Sequence, residues 1–300
     1  MKEKLLFTGA SGFMGRNILP LLLEEYEVTT IGPMASDQIR VNFTEPFAGQ
    51  LPQQYDVVLH AAGKAHVYPK TEAEKQAFYD VNYTGTIHLC EALEKVGVPK
   101  ALVFISTMNV YGSEPGNMDT EDSRPLVGDS PYSDSKIKAE DFLTRWCKMN
   151  HVTLGILRPA LLAGKNAPGN LGAMVNGIKT GKYLSIAGGK AKKSILMAQD
   201  IANLVPLVAE KGGVYNVCDD YNPSFGEIEA SIANQLGKRQ PISIPYWMAK
   251  CLALVGDLFS FFPINSSRLE KIITSDTWSN EKAKRELGWR PMDVLENYKI

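Results

Sequence analysis

The sequence predicts an α/β fold in which helices cover both faces of a doubly wound parallel β-sheet, followed by a smaller, mostly helical C-terminal region. Three observations support this prediction. Short apolar runs rich in β-branched residues alternate with longer stretches of helical spacing, which is the pattern of βαβ units. The 300 residues, 44% of them hydrophobic, can bury a full core. The first apolar run also leads through a glycine-rich turn directly into a helix, as in dinucleotide-binding domains of the Rossmann type.

The predicted elements follow one another in this rhythm along the chain. Strands are expected at 4–8, 27–31, 57–60, 101–106, 153–157 and 214–217. Helices are expected at 16–25, 72–96, 131–150, 171–180, 198–209, 225–236 and 280–287. Glycine-, proline- and asparagine-rich loops begin after Pro159. We therefore predict a dinucleotide-binding domain over 1–163, rejoined by 195–217, and a substrate-binding region formed by 164–194 and 218–300.

Charge and hydropathy restrict the classes of partner. The formal net charge is −1, so the chain as a whole has no field that attracts nucleic acid or an anionic membrane. The lysines of 177–193 lack aromatic partners other than Tyr183, which disfavours RNA or membrane association of that segment. The apolar stretch 246–263 is too short to span a bilayer, and we interpret it as a core or subunit-facing helix. The first strand begins so near Met1 that no signal peptide fits before it, and we expect a cytoplasmic protein without nucleic-acid binding or membrane insertion.

The turn after the first strand is the predicted dinucleotide site. Its glycines have the spacing G-x-x-G-x-x-G, where the more common fingerprint is G-x-G-x-x-G. Glycines allow the backbone to approach a pyrophosphate, and a helix start offers free N–H groups to that anion. A simple tight turn is the alternative, but strand, loop and helix occur in the order that the site requires. The expected contacts are Gly9, Ser11, Gly12, Phe13, Met14 and Gly15.

A tyrosine and a lysine four residues apart form the candidate catalytic pair. Tyr132 and Lys136 share one face of a helix that begins at Pro131. A phenol titrates near ~10, and a neighbouring ammonium would lower its pKa enough for general acid–base catalysis. Thr107 follows the strand 101–106 at the carboxyl edge of the sheet, where it could hydrogen-bond the reacting oxygen or simply cap the strand.

Several motifs in a fixed order identify a family. The chain resembles the extended short-chain dehydrogenase/reductases, in particular their nucleotide-sugar epimerase, dehydratase and 4-ketoreductase branch. The residues that carry this resemblance are Thr8–Gly15, His60–Gly63, Val81–Thr86, Ser106–Gly112, Tyr132 with Lys136, Leu157–Pro159 and Asn280–Pro291.

The resemblance implies roles for individual residues. Tyr132 would exchange a proton with a sugar hydroxyl or ketone, Lys136 would hold the nicotinamide ribose, and Thr107 would occupy the family's Ser/Thr position. The cofactor would also be lined by residues implied in the same way: Asn42 and Phe43 beside the adenine, Ala61, Ala62 and Gly63 along one wall, Asn82 bracing that wall, and Pro159 near the carboxamide. A nucleotide-diphosphate sugar is the implied substrate, and a homodimer through the helices 72–96 and 131–150 is expected by analogy.

The reaction type is narrowed by two further comparisons with the family. Dehydratases carry an Asp-Glu pair directly after the catalytic Thr, whereas this chain has Met108 and Asn109, which disfavours dehydration. Two reactions of a UDP-linked, N-acetylated or plain hexose remain, namely 4-epimerisation and 4-keto reduction. No acidic residue directly follows the second strand, where Gly32 leads into a turn, and this favours NADP over NAD.

On the substrate side, Asn170, Lys193 and Arg268 are the candidate diphosphate ligands, and exposed polar groups without a function are the alternative for each. No metal site is predicted, since His88 and His151 have no ligand partners at metal spacing. A catalytically silent NAD(P)-binding regulator or scaffold is the competing functional hypothesis, because a dinucleotide fold alone does not prove an enzyme.

Overall fold

The fold is that of a computed structural model, which describes residues 2–65, 67, 69–112, 114–121, 124–258 and 265–300. The strands in these residues are β1 (Lys4–Thr8), β2 (Glu27–Gly32), β3 (Ile39–Arg40), β4 (Val57–His60), β5 (Ala101–Ile105), β6 (Asn117–Asp119), β7 (Thr153–Pro159), β8 (Leu161–Ala163), β9 (Leu184–Ile186), β10 (Ile195–Met197), β11 (Gly213–Val217), β12 (Ile242–Ile244) and β13 (Thr277–Trp278). The α-helices are α1 (Phe13–Glu25), α2 (Glu72–Tyr79), α3 (Gly85–Val96), α4 (Pro131–Asn150), α5 (Gly169–Lys179), α6 (Ala198–Lys211), α7 (Phe225–Gln235), α8 (Tyr246–Leu258), α9 (Ser266–Ile273), α10 (Glu281–Leu287) and α11 (Val294–Asn297).

Seven parallel strands form the central sheet, in the order β11-β7-β5-β4-β1-β2-β3. The strand order reverses between β1 and β4, which pair with Thr8 opposite His60. A crevice opens at the carboxyl ends of the strands at such a switch point, and open α/β sheets bind their ligands there. The predicted doubly wound, Rossmann-type α/β fold is thus confirmed.

The core lies in two apolar layers, one on each face of the sheet. On one face α1 and α6 pack over β1, β4, β5 and β7, with Ile18, Leu22, Ile201 and Val205 fully or almost fully buried. On the other face α3 and α4 pack over the same strands. Strands covered on both sides need no polar alternation, which explains why the sequence shows them as continuous apolar runs.

A third layer is built by the C-terminal part of the chain together with 169–197. Helices α5 and α7 enclose their own apolar cluster with β8 and β10. Beyond it, β9 pairs in parallel with β12, and α8 and α9 cover one face of this two-stranded sheet. The strand β11, which follows α6, pairs with β7 in the central sheet. The division into two domains stays a prediction.

Most predicted elements are found within three residues of their expected ends, and two differ instructively. The expected helix 72–96 is interrupted by a π-helical turn at Asp80–Thr84. The apolar stretch 246–263 forms α8 to Leu258, and its remainder lies outside the described residues. In the part of the chain that is described, no helix has the length and apolar character needed to cross a membrane.

Candidate active site

The glycine-rich turn holds β1 and α1 close to the end of β4. Gly9 has φ +82°, a left-handed conformation that favours glycine, and a Cβ there would lie 2.7 Å from the backbone of Ala61 and Ala62. A Cβ on Gly15 would overlap the carbonyl oxygens of Gly9 and Ala10. Helix α1 begins after Gly12, a residue with no side chain to satisfy the first N–H groups of the helix. The turn therefore leaves backbone donors available to an anion.

Beneath this turn, a buried hydrogen-bond chain runs through His60. Thr8 Oγ1 accepts from the Ala61 and Ala62 amides at 3.0 and 2.9 Å and lies 2.8 Å from His60 Nδ1. Thr86 Oγ1 lies 2.8 Å from His60 Nε2 and donates to the Asn82 carbonyl at 2.7 Å. These roles assign the proton of the neutral imidazole to Nε2, because Thr86 has already used its own hydrogen. Burial, followed by the positive charge of Lys136, lowers the pKa of His60 to about 3.

Asn82 continues this chain to the catalytic helix. The Asn82 side chain accepts from the Lys64 amide at 2.7 Å and donates to Ser135 Oγ at 2.9 Å. Ser135 in turn donates to the Tyr132 carbonyl at 2.8 Å. The π-helical turn holds Asn82 in this position, and such turns are frequent at functional sites. The structure thus places Asn82 between the loop after β4 and the start of α4.

The three predicted catalytic residues meet at the carboxyl edge of the sheet. Thr107 follows β5, and its hydroxyl accepts from the Asn109 amide at 3.2 Å. Burial raises the pKa of Tyr132, and the neighbouring Thr107 hydroxyl opposes this change by favouring the phenolate. Tyr132 lies in the first turn of α4, which is fixed by a capping box between Ser130 and Ser133.

Lys136 is almost fully buried one helical turn further on. Its ammonium donates to the Ile105 carbonyl at 2.8 Å and lies 4.5 Å from the centre of the Phe104 ring. Burial lowers the pKa of Lys136 to about 8, and the negative charge of Glu140 opposes this change. A Cβ on Gly63 would lie 3.3 Å from the Lys136 Nζ, so the lysine also reaches the loop after β4. The group that opposes the effect of burial on the Tyr132 pKa is Thr107, whereas the sequence suggested Lys136 for this role.

A buried ion pair supports the catalytic edge from behind. Arg158 on β7 donates from Nε and Nη2 to the Glu140 carboxylate at 3.1 and 2.5 Å. Ser106 donates to the same carboxylate, and Arg158 Nη1 donates to the Tyr111 hydroxyl at 2.8 Å. A forked guanidinium and a carboxylate with these partners fix α4 to β5 and β7. The sequence identified Arg158 only as part of a motif and gave no role to Glu140, although its position four residues after Lys136 puts it on the same helical face.

At the opposite end of the crevice, the structure brings a carboxylate to the end of β2. A Cβ on Gly32 would lie 2.5 Å from Asp37 Oδ2, and this oxygen accepts from the Met34 amide at 3.0 Å. Sequence reasoning missed Asp37 because it comes five residues after the strand. This carboxylate bears on the choice between NAD and NADP, because the expected preference for NADP depended on the absence of an acidic residue at the end of β2. Asn42 is exposed, and the Phe43 ring is buried against Phe47, at 5.4 Å between ring centres.

The candidate diphosphate ligands come from three separate elements. Asn170 is exposed in the first turn of α5, and Arg268 is exposed in the first turn of α9. Lys193 is largely buried, 3.9 Å from the Asp276 carboxylate, and burial lowers its pKa. Pro159 is the last residue of β7, at the same carboxyl edge as Thr107. The described residues contain no group of three or more His, Cys, Asp or Glu that could hold a metal ion.

Comparison with known proteins identifies the family. The NAD dependent epimerase/dehydratase family matches residues 5–218, more than two thirds of the chain. The chain belongs to this family. The family accounts for the resemblance to extended short-chain dehydrogenase/reductases, which is confirmed, and for the expected nicotinamide dinucleotide cofactor.

Individual relatives match over nearly the whole chain. The chain is 26% identical to the N-acetyl-alpha-D-glucosaminyl-diphospho-ditrans,octacis-undecaprenol 4-epimerase of Escherichia coli O157:H7, over 94% of this chain and 89% of that protein. It is 27% identical to the UDP-glucose 4-epimerase of Vibrio cholerae, over 99% and 93%. Among solved structures, it is similar to the UDP-N-acetylglucosamine 4-epimerase from Methanobrevibacter ruminantium M1 in complex with UDP-N-acetylmuramic acid, with a TM-score of 0.79, 20% identity, and coverage of 99% and 96%.

The family's cofactor fits the residues present. The glycine turn admits no Cβ at Gly9 or Gly15, so that only backbone borders the start of α1. Lys136 presents a buried ammonium beside Gly63, on the wall that Asn82 braces. A pyrophosphate at the helix start and a ribose near Lys136 would therefore meet groups of complementary charge and size.

Proposed function

We propose that the protein is an NAD(P)-dependent 4-epimerase of a UDP-linked, N-acetylated or plain hexose. The observation that carries this proposal is the placement of Tyr132 beside Thr107 at the carboxyl edge of the sheet, with the buried Lys136 one helical turn from Tyr132. Two relatives named as 4-epimerases that match over at least 94% of this chain support the reaction type. Net 4-keto reduction is the second reaction that the same residues can perform.

Tyr132 is the group that exchanges the proton. Its phenolate oxygen would take the proton of the sugar 4-hydroxyl in the forward direction and return it to the same oxygen in reverse. The hydride chemistry at carbon 4 would be supplied by a nicotinamide held beside Lys136. Thr107, which lowers the pKa of Tyr132, would donate to the phenolate oxygen and stabilise that form against the effect of burial. Lys136 supplies a positive charge at the wall of the crevice, where few water molecules screen it.

Dehydration is not part of this proposal. Removal of water from the sugar needs a further acid and base next to the catalytic Thr. Met108 and Asn109 follow Thr107 in a short 3-10 turn, and neither side chain can carry a proton. Dehydratase activity is therefore expected to be absent.

We also propose how the two ends of the substrate and cofactor are held. Asn170, Lys193 and Arg268 are the proposed contacts of the sugar-linked diphosphate. Asp37 is proposed to favour NAD, because a carboxylate at the end of β2 can accept from the adenosine ribose and repels a 2′-phosphate. Replacement of Asp37 by Asn is expected to raise the ratio of NADP to NAD affinity at least tenfold, measured by equilibrium titration with each dinucleotide. An unchanged ratio would remove Asp37 from cofactor selection.

The decisive experiment compares turnover with cofactor binding. The purified protein is incubated with UDP-glucose, UDP-N-acetylglucosamine or a polyprenyl-diphosphate-linked N-acetylglucosamine, each with NAD, and the sugar is analysed for inversion at carbon 4. In parallel it is incubated with a UDP-linked 4-keto sugar and NADH or NADPH, and the consumption of the nicotinamide is followed. Tyr132→Phe is expected to lower turnover at least about 100-fold while NAD still binds. Tyr221→Phe, which removes an exposed hydroxyl bonded to Glu227, serves as the matched control and should behave like the wild type.

The outcomes separate the competing hypotheses. Inversion without net consumption of the nicotinamide supports epimerisation, and consumption of NADH or NADPH with a 4-keto sugar supports reduction. Turnover that survives in Tyr132→Phe contradicts the proposed acid–base role. A protein that binds NAD but converts none of these sugars would be the silent regulator or scaffold.

A further inference from the structure

Helix α8 presents an apolar stripe to solvent. Trp247, Leu254 and Leu258 are 66%, 55% and 80% exposed and recur at the spacing of one helical face. Cys251, exposed as well, completes the stripe. The opposite face, with Ala249, is buried against β9, β12 and α9. A helix with one face in the core and a second, equally apolar face in water is unusual for a protein that has no partner.

The two-stranded sheet under α8 extends the apolar surface. Leu184 at the start of β9 lies opposite Ile242 at the start of β12, and both side chains are exposed. Because side chains alternate along a strand, this pair points to the same side of the sheet as Ile186 and Ile244, which pack against α8. The exposed apolar residues therefore belong to one layer of the molecule.

The same layer is strongly positive. Segments 177–190 and 236–258, which contain β9, β12 and α8, carry six Lys or Arg residues and a single acidic residue, Asp257, whereas the whole chain has a net charge of −1. Asp257 accepts from the Ser266 amide and hydroxyl, which ties α8 to α9. Lys238 and Arg239 precede β12, and Lys182 precedes β9, so these cations lie at the edge where Leu184 and Ile242 are exposed.

We propose that this layer, formed by α8 with β9 and β12, docks the protein on the surface of an anionic lipid bilayer. An amphipathic helix with aromatic and aliphatic side chains on one side and lysines around it lies in the plane of the headgroups, where its apolar face enters the acyl boundary and its cations meet anionic lipids. The proposal goes beyond the reaction and does not depend on which sugar is converted.

The charge of the layer favours a lipid surface over a second copy of the chain. In a symmetric dimer each copy would place the same positive segments against those of its partner, and like charges that face each other across an interface are repulsive. An anionic bilayer has the complementary charge. Trp247 on α8 adds an exposed aromatic side chain to this layer.

Trp247 provides a direct probe. All four tryptophans lie in the described residues, and Trp146, Trp278 and Trp289 are buried, so that quenching by acrylamide in the folded protein reports chiefly on Trp247. Vesicles of phosphatidylcholine containing phosphatidylglycerol are expected to shift the emission to shorter wavelength and to reduce quenching several-fold. Pure phosphatidylcholine vesicles should have a much weaker effect, and high salt should reverse the binding.

Variants test which surface is responsible. Leu254→Ser with Leu258→Ser is expected to weaken co-sedimentation with the anionic vesicles at least tenfold, and Lys238→Gln with Arg239→Gln to weaken it and reduce its salt dependence. Leu23→Ser, which changes an exposed leucine on α1, is the matched control and should bind as the wild type does. Turnover of a UDP-sugar in solution is expected to be unchanged in the Leu254/Leu258 variant, so that failure of docking and failure of the proposed reaction are distinguishable.

Three results would overturn the proposal. The first is absence of binding to the anionic vesicles, and the second is equal binding by the Leu254/Leu258 variant. The third is self-association of the wild type in sedimentation velocity that the Leu254/Leu258 variant lacks, together with no vesicle binding by either protein. The apolar stripe would then be covered by a second copy of the chain.

Discussion

Replacement of His60 by Gln tests the buried hydrogen-bond chain through its dependence on pH. His60 is 1% exposed, and both ring nitrogens are bonded, at 2.8 Å to Thr8 Oγ1 and 2.8 Å to Thr86 Oγ1. Burial and the charge of Lys136 lower its pKa from 6.5 to about 3 in the folded protein. Between these two values the unfolded chain binds a proton that the folded chain does not, so stability falls as the pH decreases through this window.

The expected magnitude follows from that difference. At pH 7 the imidazole is mostly neutral in both states, whereas at pH 5 only the unfolded chain carries the proton, which lowers the free energy of unfolding by about 2 kcal/mol relative to pH 7. Gln does not titrate in this range. At pH 7, His60→Gln should therefore have a free energy of unfolding about 1–3 kcal/mol below that of the wild type, because Gln replaces the two hydrogen bonds imperfectly. Between pH 7 and pH 5, the variant should lose about 2 kcal/mol less stability than the wild type loses.

Urea unfolding followed by far-ultraviolet circular dichroism at pH 7 and pH 5 measures this difference. His151→Asn is the matched control, since His151 is exposed with φ +56°, a conformation that Asn adopts readily, and it should retain the full wild-type dependence on pH. Other titrating groups cancel because the comparison is between proteins under identical conditions. If His60→Gln loses as much stability as the wild type between pH 7 and pH 5, the neutral, doubly bonded His60 is refuted.

Three further changes test other parts of the structure. Asp200 is fully buried and accepts from the Met292 amide at 3.1 Å, and burial raises its pKa to about 7. Between pH 3.8 and 7 the folded protein therefore holds a proton that the unfolded chain has lost, so the free energy of unfolding decreases as the pH rises through this range. Asp200→Asn should remove this part of the decrease, as measured by urea unfolding. Glu140→Gln leaves the buried Arg158 without its anionic partner and should lower the free energy of unfolding by about 3–5 kcal/mol. The control Glu91→Gln, on the exposed face of α3, should change it by less than about 0.5 kcal/mol. Equal effects of the two substitutions would contradict the conclusion that the ion pair stabilises the packing of α4 against β5 and β7. Gly15→Ala forces a Cβ against the carbonyl oxygens of Gly9 and Ala10. This substitution should lower both the melting temperature and the affinity for NAD, each measured by calorimetry. Unchanged NAD binding would argue against a close approach of this backbone to the cofactor.

The parts of the fold that the sequence predicted well are those with local signals. Helix α4 was predicted with its observed ends, because Ser130 caps its start in a capping box, Pro131 occupies its first position, and His151 ends it in a left-handed conformation. The glycine turn was recognised because strand, turn and helix are contiguous. The family membership likewise depends on short motifs that each lie within a few residues.

The parts that escaped prediction are set by contacts between distant residues. The π-helical turn at Asp80–Thr84 lies inside a segment that the sequence predicted as one continuous helix, and its role is visible only in the bonds of Asn82 to Lys64 and Ser135. Asp37 reaches the end of β2 through the turn that follows the strand, so a search for an acidic residue directly after β2 does not find it. The positive, apolar layer around α8 combines segments that are separated by more than forty residues.

The structure also indicates how the proposed cofactor wall and the helix α4, which carries the proposed catalytic pair, are held in register without an additional charge. From Ala61 and Ala62 the chain of bonds passes through Thr8, His60 and Thr86 to Asn82, and from Asn82 through Ser135 to the backbone of the catalytic tyrosine. Every member is neutral, since burial keeps the imidazole unprotonated at physiological pH. A cationic histidine here would stand beside Lys136 and would lower the lysine's pKa further, which would weaken the positive charge that the proposed mechanism requires at the wall of the crevice. The neutral His60 therefore links the two elements rigidly and leaves Lys136 as the single cation at this wall.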